Sequence, residues 1–311
     1  MKIIKKILFS ILAIFLFIFI LFGYQDRKVI ELTEKYAPSP SKFVEIDGMN
    51  VHYRDEGNPK DSLPIVLLHG TGSSLHTYNE WANKLAKNRR VVRMDLPAFG
   101  LTGPFPNRQY SIEKYVTFIE HFLASQNIKK CVLAGNSLGG NIAWQFTVKN
   151  PTMVEKLILI DATGYPFKPD SMPIAFTIAQ TPVLNKLLTV ITPRFMAKAS
   201  VKNVYADKTK ITESLIDRYF DLTLRAGNRQ ALVDRMTMEV DTLAHLNIPK
   251  IKQPTLVLWG NQDKLVPLRI AHRFHNDLPN DTLVILKNSG HVPMEESPEE
   301  SLAVVLAFLE K

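Results

Sequence analysis

The sequence has little cysteine and no strong excess of positive charge beyond its first residues. Cys131 is the single cysteine among 311 residues, which excludes a disulfide framework and any zinc or iron–sulfur site built from several cysteines. The net charge is +8, and three of the lysines responsible, Lys2, Lys5 and Lys6, lie at the N-terminus. Because no dense Lys/Arg stripe interleaved with aromatic residues follows them, we do not expect nucleic acid as a partner.

The overall composition is that of a globular protein. Hydrophobic residues make up 46% of the chain and charged residues 22%, which excludes extended disorder, a collagen-like repeat and a low-complexity array. A chain of 311 residues is long enough for one large domain or two smaller ones. The sequence leaves the number of subunits open.

A long apolar run follows the N-terminal lysines. Residues 7–25 contain no charged side chain. As a helix they would reach about 28 Å, close to the hydrocarbon thickness of a bilayer. We therefore predict that residues 1–25 form a single-pass signal-anchor, a transmembrane helix, so that a membrane is a partner. The lysines would keep the N-terminus cytoplasmic and place the rest of the chain on the non-cytoplasmic side; a cleaved secretion signal is the alternative.

The rest of the chain alternates short apolar runs with helical patterns. Strands that are apolar throughout and alternate with helices indicate a mostly parallel sheet covered on both faces. The predicted fold class is therefore α/β, with an eight-stranded sheet, helices on both faces and an inserted helical cap. The predicted strands are residues 43–46, 50–54, 65–68, 90–94, 131–134, 156–160, 255–259 and 282–286.

Four segments are predicted after the anchor. Residues 26–42 are polar and end in a Pro-Ser-Pro sequence, which favours a stiff linker. Residues 43–163 and 250–311 are predicted to be the two parts of one α/β core. Residues 164–249 interrupt the alternation with helical patterns rich in Met, Leu and Phe, and they are predicted to form the inserted cap.

The strongest chemical signal is the sequence GNSLGG, which follows an apolar strand and opens a helix. Gly-x-Ser-x-Gly in that context is the nucleophile-elbow pattern. Its serine is held at a strained backbone angle, so its flanking neighbours must lack side chains. The serine Oγ then projects above the sheet beside a helix N-terminus, which favours negative charge. Ser137 is therefore the predicted nucleophile.

A nucleophilic serine needs a base that accepts its proton, and histidine is the usual base near neutral pH. His291 follows the last predicted strand, so its loop is expected at the carboxyl ends of the strands, near Ser137. Asp263, in a polar loop after the preceding strand, is predicted to orient the imidazole and complete a catalytic triad. Asp161, directly after another strand, is the competing acid, and His245 in the cap is the alternative base.

Acyl transfer also needs N–H donors for the developing alkoxide. The predicted oxyanion-hole donors are the backbone of Leu138, directly after the nucleophile, and that of Thr71 in the loop HGTG, with Gly72 as the alternative to Thr71. Gly70 would let this loop approach the substrate. Phe99, in the loop DLPAFG, is predicted to line the substrate site. No cofactor and no metal are predicted.

Four ordered motifs resemble the α/β-hydrolase superfamily over residues 43–311: HGTG, DLPAFG, GNSLGG, and WGNQD with a later GH. The chain order Ser, Asp, His also matches that superfamily. The elbow looks like those of meta-cleavage-product hydrolases and of membrane-anchored monoacylglycerol lipases, and a capped hydrolase behind an anchor is more similar to the latter. Relatives with an aspartate nucleophile, such as haloalkane dehalogenases and epoxide hydrolases, differ at Ser137, which argues against those activities.

The resemblance implies a membrane-tethered serine hydrolase that cleaves carboxylic esters through an acyl-enzyme on Ser137, with a small-molecule, lipid or acylglycerol ester as substrate. Two alternatives stay open. A C–C bond hydrolase of the meta-cleavage-product type would place a cation near its substrate carboxylate, and Arg194, Arg225 or Arg229 could serve. A non-catalytic binding module with the same fold is the other alternative, against which the complete predicted triad argues.

Overall fold

The predicted apolar runs form the strands of one sheet. The computed structural model describes residues 2–239 and 241–311, so Met1 of the predicted anchor and Val240 of the predicted cap lie outside the described residues. The strands are β1 Ser41–Ile46, β2 Met49–Gly57, β3 Ile65–Leu68, β4 Arg90–Met94, β5 Cys131–Asn136, β6 Val154–Ile160, β7 Thr255–Gly260 and β8 Asp281–Leu286. The predicted fold class is confirmed.

The strand order brings the predicted site loops together. The order is β1-β2-β4-β3-β5-β6-β7-β8. β2 pairs antiparallel with β1 and β4, whereas the pairs from β4–β3 to β7–β8 are parallel. The carboxyl ends of the parallel strands therefore lie along one edge of the sheet, where the loops after β3, β5, β7 and β8 meet.

Both faces of the sheet are buried because alternate side chains of each strand point to opposite sides. In β3, Val66 and Leu68 belong to one hydrophobic core, whereas Ile65 and Leu67 belong to the other. All four side chains are buried. This explains why the strand reads as a continuous apolar run instead of an alternating one.

Helices cover both faces. α4, α5 and α11 contribute to the first core, and α3 and α13 to the second. The described helices are α1 Lys2–Phe22, α2 Val29–Tyr36, α3 Asn79–Leu85, α4 Ile112–Ser125, α5 Leu138–Lys149, α6 Ile174–Gln180, α7 Leu184–Leu188, α8 Arg194–Val204, α9 Glu213–Thr223, α10 Asn228–Thr237, α11 Arg269–Asp277, α12 Pro293–Glu296 and α13 Pro298–Leu309.

The N-terminal prediction needs correction. α1 ends at Phe22, and Gly23 leaves the helix to pair with Ile191, whereas the uncharged run predicts an apolar helix that continues to residue 25. The uncharged part of α1 therefore rises only about 24 Å, less than the roughly 30 Å of a bilayer core. Over the described residues, no helix has both the length and the apolar character needed to cross a membrane. The predicted signal-anchor, membrane partner and single-pass localisation are therefore wrong.

The chain after α1 lies against helices that follow β6. The Tyr24 N–H donates to the Val190 carbonyl at 3.1 Å. In α2, Leu32 is buried in a small apolar cluster with Leu222. The predicted linker, residues 26–42, thus contains a helix that packs on the rest of the protein.

Helices α6 to α10 occupy the chain between β6 and β7. This is the interval in which the sequence analysis placed the cap, residues 164–249. Its residues face the carboxyl edge of the sheet, where several of them line the same pocket as Ser137. The division of the chain into core and cap stays a prediction.

The two-sided core gives a stability prediction. Leu67→Ala should lower the free energy of unfolding by about 2–5 kcal/mol, because it leaves a cavity at a fully buried position. Leu306→Ala is the control, since this leucine is 43% exposed and should change stability by less than about 0.5 kcal/mol. Urea unfolding followed by circular dichroism measures both; equal midpoints for the two variants would contradict the assignment of β3 to the core.

Candidate active site

The predicted nucleophile lies on a sharp turn between β5 and α5. Ser137 has φ 55° and ψ −114°, a backbone conformation that L-residues other than glycine seldom adopt. Its N–H donates to the Ile160 carbonyl at 3.0 Å, which ties the turn to the neighbouring strand. The side chain is 7% exposed and lines a pocket. The strand–turn–helix context predicted for Ser137 is therefore present.

Two glycines are required by close backbone approach at this turn. A Cβ on Gly135 would lie 2.2 Å from the Gly139 carbonyl oxygen, and a Cβ on Gly139 would lie 2.2 Å from the Leu68 carbonyl oxygen. Backbone atoms of β3 and α5 cannot move away without breaking their own hydrogen bonds. This is the physical reason for glycine on both sides of the serine.

The structure pairs the predicted base with the predicted acid. His291 Nδ1 lies 2.7 Å from Asp263 Oδ2, and both residues are buried. The other carboxylate oxygen of Asp263 accepts the N–H groups of Leu265 and Val266 at 2.8 and 3.0 Å. The Asn136 side chain donates to the His291 carbonyl at 2.9 Å, which links the histidine loop to the end of β5.

Asp161 lies close to this pair but does not replace Asp263. Its Oδ1 accepts the Gly260 N–H at 3.0 Å, and Oδ2 has no hydrogen-bond partner among the described residues. Burial, followed by the negative charge of Asp263, raises the pKa of Asp161 well above its usual value. The raised pKa of Asp161 favours its protonated form, and Asp263 is the carboxyl group that contacts His291 directly.

The same three residues could be considered for a metal. Ligand atoms of Asp161, Asp263 and His291 lie within 4.8 Å of one another. However, His291 and Asp263 already share a hydrogen bond of 2.7 Å. The carboxyl group of Asp161 is a poor metal ligand while it is protonated. The donor set fits imidazole orientation better than metal coordination.

Two other histidines have structural surroundings. His69 is fully buried; its Nε2 accepts the Leu96 N–H at 2.9 Å, so its Nδ1 donates to the Gly70 carbonyl at 2.8 Å. Burial lowers the pKa of His69, which favours this neutral form. His245, the alternative base, contacts the Tyr165 ring at 5.3 Å with the planes tilted by 46°, and it is not among the residues that line the pocket with Ser137.

The pocket joins the predicted site residues to the inserted helices. Gly70, Thr71, Ser137 and His291 line it, and together with the solvent at its mouth it encloses about 930 Å³. α5 begins at Leu138, so the N–H of this residue belongs to the first helical turn, which lacks intrahelical acceptors. The Leu138 N–H, one of the predicted oxyanion donors, therefore lies beside Ser137, and Thr71 lines the same pocket.

Phe99 does not line the pocket that contains Ser137. It lines a smaller adjoining pocket, with Gly72 and Ser73 at the boundary between the two, and it is 4% exposed. Its ring meets the His69 ring edge-on at 5.9 Å, so it supports the loop HGTG from the side. The prediction that Phe99 lines the substrate site stays untested by this arrangement.

Sequence reasoning missed the pocket wall that α6 to α10 supply. The wall is mainly apolar. The Met, Leu and Phe content of residues 164–249 indicated an apolar wall, but it did not show which residues line the pocket. Tyr219 is a polar residue of this mainly apolar wall. Its hydroxyl donates to Glu295 at 3.0 Å and lies 3.4 Å from the hydroxyl of Ser73, which directly follows the loop HGTG. The missed apolar residues include Phe176, Leu188, Met196, Val201, Phe220 and Leu232.

The three candidate arginines have different surroundings. Arg194 pairs with Glu213 and Asp217 outside the pocket. Arg225 donates to backbone carbonyls, including that of Thr102 at 3.0 Å. Arg229 lines the pocket that contains Ser137. The structure therefore brings one of these cations to the site.

Comparisons with known proteins agree with this geometry. A model of the alpha/beta hydrolase family matches residues 65–304. The uncharacterized hydrolase YugF of Bacillus subtilis is 29% identical over 271 residues, 85% of this chain and 95% of that protein. The 2-hydroxy-6-oxo-6-(2'-aminophenyl)hexa-2,4-dienoic acid hydrolase of Metapseudomonas resinovorans is 26% identical over 294 residues, 92% of this chain and 96% of that protein. A membrane phospholipase A of known structure shares the fold, with TM-score 0.73, 24% identity and coverage of 100% and 98% of the two chains.

The tight turn gives a prediction about Ser137. Gly139→Ala should lower the rate at which a fluorophosphonate probe labels Ser137 by about tenfold or more, because the new methyl group meets the Leu68 carbonyl and displaces the turn. Gly48→Ala is the control for general destabilisation, because it strains a turn with φ +77°, has no Cβ contact closer than 3.5 Å, and lies outside the pocket that contains Ser137. Equal labelling rates for the two variants would refute the role given to Gly139.

Proposed function

The chain belongs to the alpha/beta hydrolase family, and from this premise we propose that it is a serine hydrolase that cleaves carboxylic esters through an acyl-enzyme on Ser137. The observation that supports the proposal best is the hydrogen bond of 2.7 Å between His291 and Asp263, in a pocket that His291 shares with Ser137. A paired base and acid beside a serine on a strained turn are the groups that acyl transfer requires.

In this mechanism Ser137 Oγ attacks the ester carbonyl carbon while His291 Nε2 accepts its proton. Asp263 holds the other ring nitrogen and stabilises the imidazolium that forms. The carbonyl oxygen becomes an oxyanion and accepts the backbone N–H groups of Leu138 and Thr71. His291 then protonates the departing alkoxide, and the alcohol leaves an acyl group on Ser137. Water, deprotonated by His291, hydrolyses the acyl-enzyme and restores the serine.

The pocket wall suggests the class of ester. Side chains of Phe176, Leu188, Met196 and Leu232 face the space in front of the nucleophile. Such a wall favours an apolar acyl chain or an apolar alcohol, because each buried CH₂ group contributes about 0.8 kcal/mol. Lipid esters and acylglycerols are therefore included among the proposed substrates.

C–C bond hydrolysis is the second candidate. The Metapseudomonas resinovorans relative is named as a hydrolase of a dienoic acid. Arg229 provides a buried cation in the pocket, which a carboxylate-bearing substrate of that kind could use. A site of this family can serve either reaction, so the substrate must be tested directly.

The nucleophile is tested by probe labelling and turnover. Ser137→Ala should abolish labelling by a fluorophosphonate probe and lower ester turnover by about 10⁴-fold or more. His291→Ala and Asp263→Asn should each also lower turnover strongly, and double variants should lose little more because the residues act as a unit. Ser214→Ala, which changes an exposed serine at the start of α9, is the control. Labelling of the Ser137→Ala protein at the wild-type rate would refute the mechanism.

A substrate panel separates the two reactions. We expect kcat/KM for p-nitrophenyl esters and monoacylglycerols to exceed that for a dienone acid by at least about tenfold, because the wall is mainly apolar. Hydrolysis rates for all three substrates should be measured with the same enzyme preparation, with the Ser137→Ala protein as the blank. A higher kcat/KM for the dienone acid would favour the C–C hydrolase instead.

A further inference from the structure

Arg229 is a buried cation in an otherwise largely apolar pocket wall. It lies in the first turn of α10 and is 4% exposed. Asp26 Oδ1 accepts from its Nε at 3.0 Å and from its Nη2 at 2.7 Å, and Nη2 also donates to the Tyr24 carbonyl at 2.8 Å. Two of the three guanidinium nitrogens are therefore held by the segment that follows α1.

The third nitrogen has no acceptor. Arg229 Nη1 is buried, and no group among the described residues accepts a hydrogen bond from it. An unpaired buried donor is destabilising, and more so when it is part of a charged group. A ligand that occupies the pocket could supply the missing acceptor.

The other polar groups of this wall have partners of their own. The hydroxyl of Thr192 donates to the Leu188 carbonyl at 2.7 Å, that of Thr223 to the Tyr219 carbonyl at 2.7 Å, and that of Ser200 to the Met196 carbonyl at 2.9 Å. Each of these hydroxyls donates its proton to the backbone carbonyl four residues earlier. Arg229 is thus the group in this wall that can attract an anion and still lacks a partner.

We propose that Arg229 Nη1 forms a subsite for a carboxylate on the substrate, separate from the ester group that Ser137 attacks. The preferred substrates would be esters that also carry a free carboxylate group, such as half-esters of straight-chain dicarboxylic acids. This inference rests on the proposed ester hydrolysis and names its substrate class. A carboxylate would gain a charge-assisted hydrogen bond from Nη1, while the methylene groups between the two ends contact the apolar wall.

Asp26 orients this subsite without filling it. Its Oδ1 faces Arg229, its Oδ2 accepts the Gly227 N–H at 2.9 Å, and its side chain remains 40% exposed to solvent. The planar guanidinium is fixed by two contacts on one edge, so the remaining nitrogen is held in the pocket wall. Asp26 is therefore a positioning residue for Arg229.

The test compares matched esters. The p-nitrophenyl half-esters of dicarboxylic acids from succinate to sebacate are assayed beside the same compounds with the free acid capped as a methyl ester. We expect the best half-ester to exceed its capped partner in kcat/KM by about tenfold or more for the wild-type protein. Arg229→Met should reduce this ratio to about one, mainly through KM, and Arg229→Lys should restore part of it.

Arg194→Met is the matched control, because it removes an arginine from the same group of helices outside the pocket and should leave the ratio at its wild-type value. A wild-type ratio near one, or a ratio that survives in Arg229→Met, would overturn the subsite. The first of these results needs no variant, so it holds even if Arg229→Met fails to fold.

The two proposals fail in different ways. If capped esters are cleaved and Ser137 is labelled but the ratio is near one, the subsite fails and ester hydrolysis stands. If no ester is cleaved, ester hydrolysis fails, and the subsite is tested by calorimetric binding of monomethyl sebacate to the Ser137→Ala protein. Weaker binding by about tenfold when Arg229→Met is added supports the subsite, whereas equal binding overturns it.

Discussion

The close approach of β3, β5 and α5 is the constraint on which the site depends. No side chain fits at Gly135 or Gly139, since a Cβ at either position would come within 2.2 Å of a carbonyl oxygen. The contact places the start of α5 directly behind Ser137 and holds that residue at φ 55°. The loop HGTG also packs closely against this turn, because a Cβ on Gly70 would lie 3.0 Å from the Ser137 Cβ. Ser137, the N-terminus of α5 and the loop HGTG are therefore positioned by the same close packing.

The charges of the site follow from burial. Two carboxyl groups beside one imidazole cannot both be ionised without strong repulsion in a low-dielectric interior. Asp263 receives two backbone N–H groups as well as His291, whereas Asp161 receives one N–H from Gly260. Asp263 is therefore better supplied with hydrogen-bond donors than Asp161. This difference supports Asp263 as the proposed acid, and it depends on the loop after β7, which bends back to present its N–H groups.

The sequence predicted most of the sheet and the paired residues of the site, because both depend on short-range patterns. Apolar runs bounded by turns predicted the strands. The rule that loops at the carboxyl ends of parallel strands lie together predicted the positions of Asp263 and His291. Contacts between distant segments could not be predicted. The pairing of Gly23 with Ile191 ends α1 earlier than its composition suggested, and the burial of Arg229 depends on Asp26, about two hundred positions away in the chain. Such contacts leave no local pattern.

The predictable motifs and the unpredictable long-range contacts concern different parts of the site: the proposed catalytic groups and the pocket wall. The four motifs supply the residues proposed as nucleophile, base, acid and oxyanion loop, and one fold can host different reactions. The wall that meets the rest of the substrate comes instead from α6 to α10 and from residues just after α1. Because Asp26 and Tyr24 fix the orientation of Arg229, a change in the N-terminal segment would alter the pocket without touching the triad. We therefore expect substrate preference in this chain to depend on residues that lie outside the four motifs.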